Sequence, residues 1–482
     1  MRSNLRHSLL SISLASLLGC AVGPDYRRPD PVLPDKWSPA RNPELKLEKS
    51  DEVLLRAWWE SFHDPELSRL MEEGRQQNLD IKIALARIDA ARSEQSATRA
   101  SLFPKIGATG DVARLSNLFP VNLPSNNLNY FLTGFDAIWE IDIFGRLHRK
   151  LEAARAQTAA SAEEYREAFV ILSAEIARQY VNYRSLQQQA QLLQKNLDLL
   201  NEISQLSEER FGTGLDSKDA VEKSKAQADT VSSELRQLEA RIITTRQKIE
   251  ALIGRKPDAL KIRLGTLAPI PSADEKRLLT LPAETLRLRP DIRAAEFELE
   301  SATATQGAAI AELFPKISVA GFLGIRNSDL ENLFRSSSFA WASGASVTQP
   351  IFNFGQIRAG INLAEARQRD AYLNYEKAVL LALHETEGAF AELIKEDLRK
   401  NHLTSVVHHQ DEVTRMAEIR LFKGLETRQT YLSSAIEANN AKTQLLESEA
   451  THTIRLISVF KALGGAGQIP VDIKEDPLRP WG

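Results

Sequence analysis

The chain has 482 residues and a single cysteine, Cys20, so an internal disulfide is ruled out. Aromatic residues make up only 7%, and the charged residues, 26% of the chain, nearly cancel to a formal net charge of −3. A nucleic-acid binder would usually carry a strong basic excess, which argues against that class of partner. No run approaches the roughly 18 apolar residues of a spanning helix, so if the protein crosses a membrane, helices do not carry it across. Gly-x-Ser-x-Gly, phosphate-loop and dinucleotide-binding glycine patterns are missing. No constellation suggests a catalytic site, a cofactor or a metal. His408 and His409 are adjacent, but helical neighbours point about 100° apart and do not form a ligand pair.

What the chain does have is a second copy of itself. Leu102-Phe103-Pro104-Lys105-Ile106 returns as Leu313-Phe314-Pro315-Lys316-Ile317, and Asn78-Leu79-Asp80-Ile81 sits opposite Arg289-Pro290-Asp291-Ile292. Phe144-Gly145 matches Phe354-Gly355, and Ala251-Leu252-Ile253-Gly254 matches Ala462-Leu463-Gly464-Gly465. A repeat about 210 residues long is far above the roughly 20–50 residue period of solenoids, so this is a duplicated architecture and not an array. The first structural repeat is read as 64–254, the second as 284–465, with a proline-bearing linker over 255–283 and a C-terminal tail over 466–482.

The amino terminus reads as a signal peptide, 1–19. Arg2 and Arg6 supply the positive region, and 9–18 is a short apolar stretch. It ends in Leu17-Leu18-Gly19-Cys20, which resembles a bacterial lipobox, with Cys20 the site of lipid attachment. An ordinary secretory signal with a chance cysteine is the alternative. Ala21 after the cysteine suggests sorting to the outer membrane, so outer-membrane lipid is an expected partner. The proline-dense stretch that follows, within a 20–63 segment, cannot sustain a helix or a central strand. A helical pattern then begins with Asp64 as N-cap and Pro65 at the first helical position, and runs to about Ala100.

At 105 the period changes to two. Ile106, Ala108, Gly110 and Val112 alternate with Lys105, Gly107, Thr109 and Asp111; Phe131, Phe135, Ala137, Trp139 and Ile141 alternate with Gly134, Asp136, Glu140 and Asp142. These predict a β-hairpin over about 105–142 with its loop at 116–128, and a second over about 316–351. Membrane-spanning strands need roughly 9–11 residues, which these runs supply. A soluble sheet with one wet face would show the same alternation. Long helical hairpins follow each, over about 146–254 and 355–463. From 146 to 210 there is neither proline nor glycine, and apolar residues recur in steps of three and four from Ile176 to Ile203. Some 65 residues of helix span about 100 Å.

Four strands cannot close a barrel, since single-chain membrane barrels start at about eight. An open sheet edge cannot face lipid. The predicted fold class is therefore mostly α with a small transmembrane β part. The chain is duplicated, and several copies contribute four strands each to one β-barrel continued by a long α-helical barrel.

These residues resemble the TolC/NodT-type outer-membrane efflux channels, in the lipoprotein branch that serves tripartite drug-efflux pumps. The motifs are Cys20-Ala21-Val22-Gly23-Pro24-Asp25-Tyr26, then Trp58-Trp59-Glu60-Ser61-Phe62-His63-Asp64-Pro65-Glu66-Leu67, then Arg289-Pro290-Asp291-Ile292. The resemblance implies a homotrimer with a periplasmic helical tunnel, partnered by a periplasmic adaptor protein and an inner-membrane pump, with no cofactor beyond the lipid on Cys20. It also implies a gate at the periplasmic helix reversals, 211–216 and 421–426. There the candidate residues are Gly214 and Asp216 in the first copy, and Arg420, Gly424, Glu426 and Arg428 in the second. Three copies of Glu426 would place like charges at a constriction, favouring cations, and ion pairing with Arg428 or Arg420 would latch the ring. A solvated turn acid is the other reading of Glu426. Two other functions stay open at this stage: the exit duct of a type I protein-secretion system, and a non-channel helical envelope lipoprotein.

Overall fold

The computed structural model describes residues 21–30, 37, 55–115, 128–273 and 283–467. Cys20, most of the first hairpin's loop, part of the linker and the tail beyond 467 lie outside the described residues. In chain order the elements are α1 Pro65–Gln77, α2 Leu79–Ala100, β1 Lys105–Leu115, β2 Leu128–Ile141, α3 Arg146–Gly212 and α4 Lys218–Leu252. A short α5 Lys261–Gly265 follows, then α6 Pro290–Ala311, β3 Lys316–Asn327, β4 Phe339–Thr348, α7 Gln356–Phe422 and α8 Arg428–Ala462. Both long helices, α3 and α7, are 67 residues. Their return partners α4 and α8 are both 35.

The chain gathers into two compact units. One holds Arg87–Ser161 and Ala294–Glu376 with the segment up to Asp30; the other holds Pro31–Ala86, Ala162–Arg293 and Lys377–Gly482. Each unit is made from both sequence copies. Neither copy folds as a body of its own, because its hairpin and its helices each find partners in the other copy.

The first unit is built on one antiparallel sheet in the order β1-β2-β3-β4. The join between copies is the β2–β3 pairing, which runs from Phe131 opposite Asn327 to Ile141 opposite Ile317. Because the side-chain period is two, one face collects Ile106, Val112, Phe135, Trp139, Val319, Leu323, Phe339, Trp341 and Val347. All nine are exposed large hydrophobics.

The second unit is helical, and its core gathers around Trp58. The 3-10 turn Trp58–Phe62 buries both of its end residues. Trp58 stacks on Phe460 of α8 at 5.1 Å and meets Phe62 edge-on, while Trp59 packs edge-on against Phe169 of α3. Asp64 then caps α1, accepting from the Glu66 and Leu67 amides, and its other carboxylate oxygen accepts from the Tyr180 hydroxyl. The described part of the linker is strapped down at Leu264–Ala268. Arg184 lies against the Tyr180 and Tyr183 rings and donates to the Leu264 and Thr266 carbonyls, and Gln187 and Gln188 bind the Leu264 and Ala268 carbonyls.

One expectation needs correction. The helical pattern from Asp64 to Ala100 is not a single helix: it breaks at Asn78, whose backbone is extended with φ −58 and ψ 135. The Asn78 side chain caps the new helix, accepting from the Asp80 and Ile81 amides, and it donates to the Leu252 carbonyl at the end of α4. Apolar spacing continues across the break, so the pattern alone does not reveal it. In the second copy Arg289 does the same service for α8, donating to the Ala462 carbonyl while pairing with Asp291 and Glu385. Both copies thus tie the C-terminus of a return helix back to the start of an earlier helix of the same copy.

Asn78→Ala removes a cap and orphans a helix-end carbonyl, so it is expected to destabilise the protein by about 1–2 kcal/mol. Asn78→Ser keeps a capping oxygen and loses only the donor to the Leu252 carbonyl, and should cost less. Denaturant unfolding of the detergent-solubilised protein, followed by far-UV circular dichroism, measures the difference.

Candidate gate and channel surfaces

The helix reversals at the ends of the two hairpins are built alike. In the first, Gly214 adopts the left-handed conformation at φ +76, and in the second Gly424 does so at φ +71. The Leu215 amide reaches back to the Arg210 carbonyl at 2.8 Å and the Gly214 amide to that of Phe211 at 2.9 Å. Leu425 to Arg420 and Gly424 to Leu421 repeat those distances. This is the paired-hydrogen-bond helix stop that needs a glycine one residue past the cap. Ser217 and Thr427 then open the return helices, each accepting from the amide three residues on.

Each reversal is also pinned by charge. Arg420 Nε meets the Glu426 carboxylate at 2.9 Å, and Arg210 Nε meets Asp216 at 3.0 Å. The two copies therefore share one device: an arginine at the end of the outgoing helix closes on the acid six residues later. Glu426 is not a bare charge, since Arg420 holds it with the carboxylate side chain only 23% exposed. Arg428 is placed elsewhere. Its Nε reaches Glu202 of α3 at 2.7 Å, and its guanidinium lies over the Tyr431 ring.

Arg428–Glu202 is one of several contacts, among the described residues, that couple the two hairpins. Asn196, 4% exposed, exchanges amide hydrogen bonds with Asn440 at 2.9 Å and Asn439 at 2.8 Å. Leu200, Ile203, Ala228 and Leu432 form a small core beside them, with Tyr431 and Ile436 packed against it. Sequence reasoning missed Glu202, Asn196, Asn439 and Asn440. The one available signal was polar amides set beside an apolar seam, since their partners lie more than 200 residues away in the chain.

At the chain's start, the residues after Cys20 are held against helix ends in the first unit. The Val22 amide donates to the Phe144 carbonyl at 3.2 Å. The buried Arg149 binds the Val22 and Gly23 carbonyls and the Asp25 carboxylate, and Arg28 pairs with Glu296. Glycine is required at two of these contacts. A β-carbon on Gly23 would come within 2.5 Å of the Gly307 backbone, and one on Gly145 within 2.7 Å of Ala21. Burial, together with Glu296 and Glu300, pushes the Tyr26 phenol above its usual range.

The sheet is sharply two-faced. Opposite the apolar face, Lys105, Thr109, Asp111, Asp136, Glu140, Lys316, Ser318 and Arg326 share the other side. Both edge strands, β1 and β4, have no further strand beside them among the described residues. No described helix is long and apolar enough to cross a membrane. A sheet with an apolar outer face, a charged inner face and open edges is a segment of a membrane β-barrel.

Comparison with known proteins agrees with this class. The sequence pattern of the family described as Outer membrane efflux protein matches residues 70–255 and 281–465, and the chain belongs to that family. It is 27% identical over 463 residues to the cation efflux system protein CusC of Escherichia coli, covering 94% of this chain and 97% of that protein. It is 26% identical over 474 residues to the probable efflux pump outer membrane protein TtgC of Pseudomonas putida, covering 95% of each. Among solved structures, the outer-membrane channel OprN superposes with a TM-score of 0.84 at 30% identity, over 92% of this chain and 99% of that one. The protein is an outer-membrane efflux channel subunit.

Gly424 has open space around the position of an added β-carbon, so a substitution there acts through the backbone alone. Gly424→Val, forced to positive φ, is expected to cost about 1–2 kcal/mol locally, and Gly424→Asn markedly less. Hydrogen exchange at residues 415–432 checks this: faster exchange in the valine variant, near wild-type exchange in the asparagine variant.

Proposed function

We propose that three copies of this chain form the exit duct of a tripartite efflux pump, carrying small molecules from the periplasm across the outer membrane. Each copy contributes four strands to a twelve-stranded barrel, with Cys20 lipidated and anchored in the inner leaflet. A periplasmic adaptor and an inner-membrane pump complete the assembly. The duct moves its cargo without chemistry of its own, and the energy and most of the substrate choice come from the pump. Names of relatives such as CusC and TtgC, which speak of cation and pump efflux, favour small solutes over secreted proteins.

The gate lies at the two helix reversals of each chain. The observation that carries this reading is that the second reversal, pinned by Arg420–Glu426, is tied to the first hairpin by an exposed ion pair, Arg428–Glu202. Exposed pairs of this kind are individually weak and screened by salt. Such a latch holds a closed ring by repetition in three chains, yet yields when a partner binds the tips. Leu215 and Leu425, exposed beside the two pins, offer that partner apolar contact. The pins keep each reversal intact while the hairpins part.

Two variants test the gate in planar bilayers. Arg428→Ala removes the tie between hairpins and should raise conductance several-fold, with less dependence on ionic strength than wild type. Glu426→Gln frees Arg420 and should alter conductance or cation preference. Unchanged conductance and selectivity in Glu426→Gln would remove Glu426 from the gate.

A further inference from the structure

The charged face of the sheet also carries apolar side chains, Leu132, Ile138 and Phe322 among them, that a water-filled lumen does not need. Phe322 of β3 stands on this face directly across from Asp136 of β2. Its ring covers the paired glycines Gly134 and Gly324. A β-carbon on Gly134 would lie 2.9 Å from Phe322 Cε2, and one on Gly324 would lie 2.7 Å from Phe322 Cζ. On the other side of β2 the Asp136 carboxylate lies over Gly107, where an added β-carbon would be 3.0 Å from Asp136 Oδ1. Asp136 has no hydrogen-bond or ion-pair partner among the described residues. Its neighbours across the ladder are small: Gly107 opposite Asp136, and Ala342 opposite Phe322.

We infer that Phe322 and Asp136 form a contact station in the barrel lumen for organic cations with an aromatic or apolar body. The inference rests on the channel reading above, which turns this face inward. Glycines at 107, 134 and 324 clear the space that side chains would fill, so the ring and the carboxylate stand free beside each other. An aromatic face and an unpaired anion are complementary to a solute carrying positive charge on an apolar frame. A small inorganic cation keeps its water shell and gains little from the ring, and an apolar anion is repelled by the carboxylate. Three such stations, one per chain, would line the barrel wall and slow passing cations briefly without sealing the pore.

The test uses the full chain reconstituted in planar bilayers, with tetraphenylphosphonium as the probe cation and tetraphenylborate as the matched anion. Wild type should show resolved current blockades with the phosphonium and shorter ones with the borate. Phe322→Leu keeps a side chain over the glycines but removes the aromatic face, and should shorten phosphonium residence roughly three- to tenfold. Asp136→Asn should shorten it and narrow the difference between phosphonium and borate. Potassium conductance should stay within about a factor of two in both variants. Unchanged residence in Phe322→Leu overturns the inference, as does a conducting wild-type channel that the phosphonium never blocks. A wild-type protein that inserts but carries no current overturns the channel reading, and the inference with it.

Discussion

Backbone groups along the outer edges of β1 and β4 have no strand beside them among the described residues. In water that would be a liability for aggregation; in hydrocarbon each unpaired N–H or C=O costs several kcal/mol. The apolar face that runs from Ile106 to Val347 places this sheet in lipid, so the edges must be paired, and the described residues of one chain hold no further strand to pair them. Most other features of the chain follow from that deficit. A subunit that supplies only four strands must assemble with others to close a barrel, and needs rigid helices that keep its staves in register while neighbours join.

Duplication fixes the chain at the same points in both copies, though not with the same chemistry. Asn78 and Arg289 both bind the last carbonyl of a return helix, one through a neutral amide and the other through a guanidinium shared with two carboxylates. Gly254 and Gly464 both take positive φ just beyond those carbonyls, where a β-carbon would press on Gln77 or Arg289. At the far ends, Arg210–Asp216 and Arg420–Glu426 close the reversals alike. The asymmetry lies in what crosses between hairpins: Arg428 reaches Glu202, and its counterpart in the first copy, Lys218, makes no ion pair among the described residues.

Much of the fold was legible because the period of the sequence changes where the structure does. Alternation over Ile106–Val112 and Phe131–Ile141 marks strands, and the unbroken run after Arg146 marks a helix of 67 residues. What could not be read was whatever depends on distant partners. Asn78 is no helix breaker by type, and it breaks the helix because the Leu252 carbonyl and two freed amides converge on it. The fusion of two hairpins through β2 and β3, and the choice of Glu202 over Glu426 by Arg428, involve residues far apart in the chain, from Ile141 opposite Ile317 to Glu202 beside Arg428. The reversals themselves were legible from Gly214 and Gly424, since positive φ there follows from local geometry alone.

The claim beneath all of this is that open sheet edges are closed by identical neighbours. Native mass spectrometry of the detergent-extracted complex tests it directly, read alongside conductance of the same preparation. The account predicts particles of three chains that conduct; a conducting particle of a single chain would contradict it.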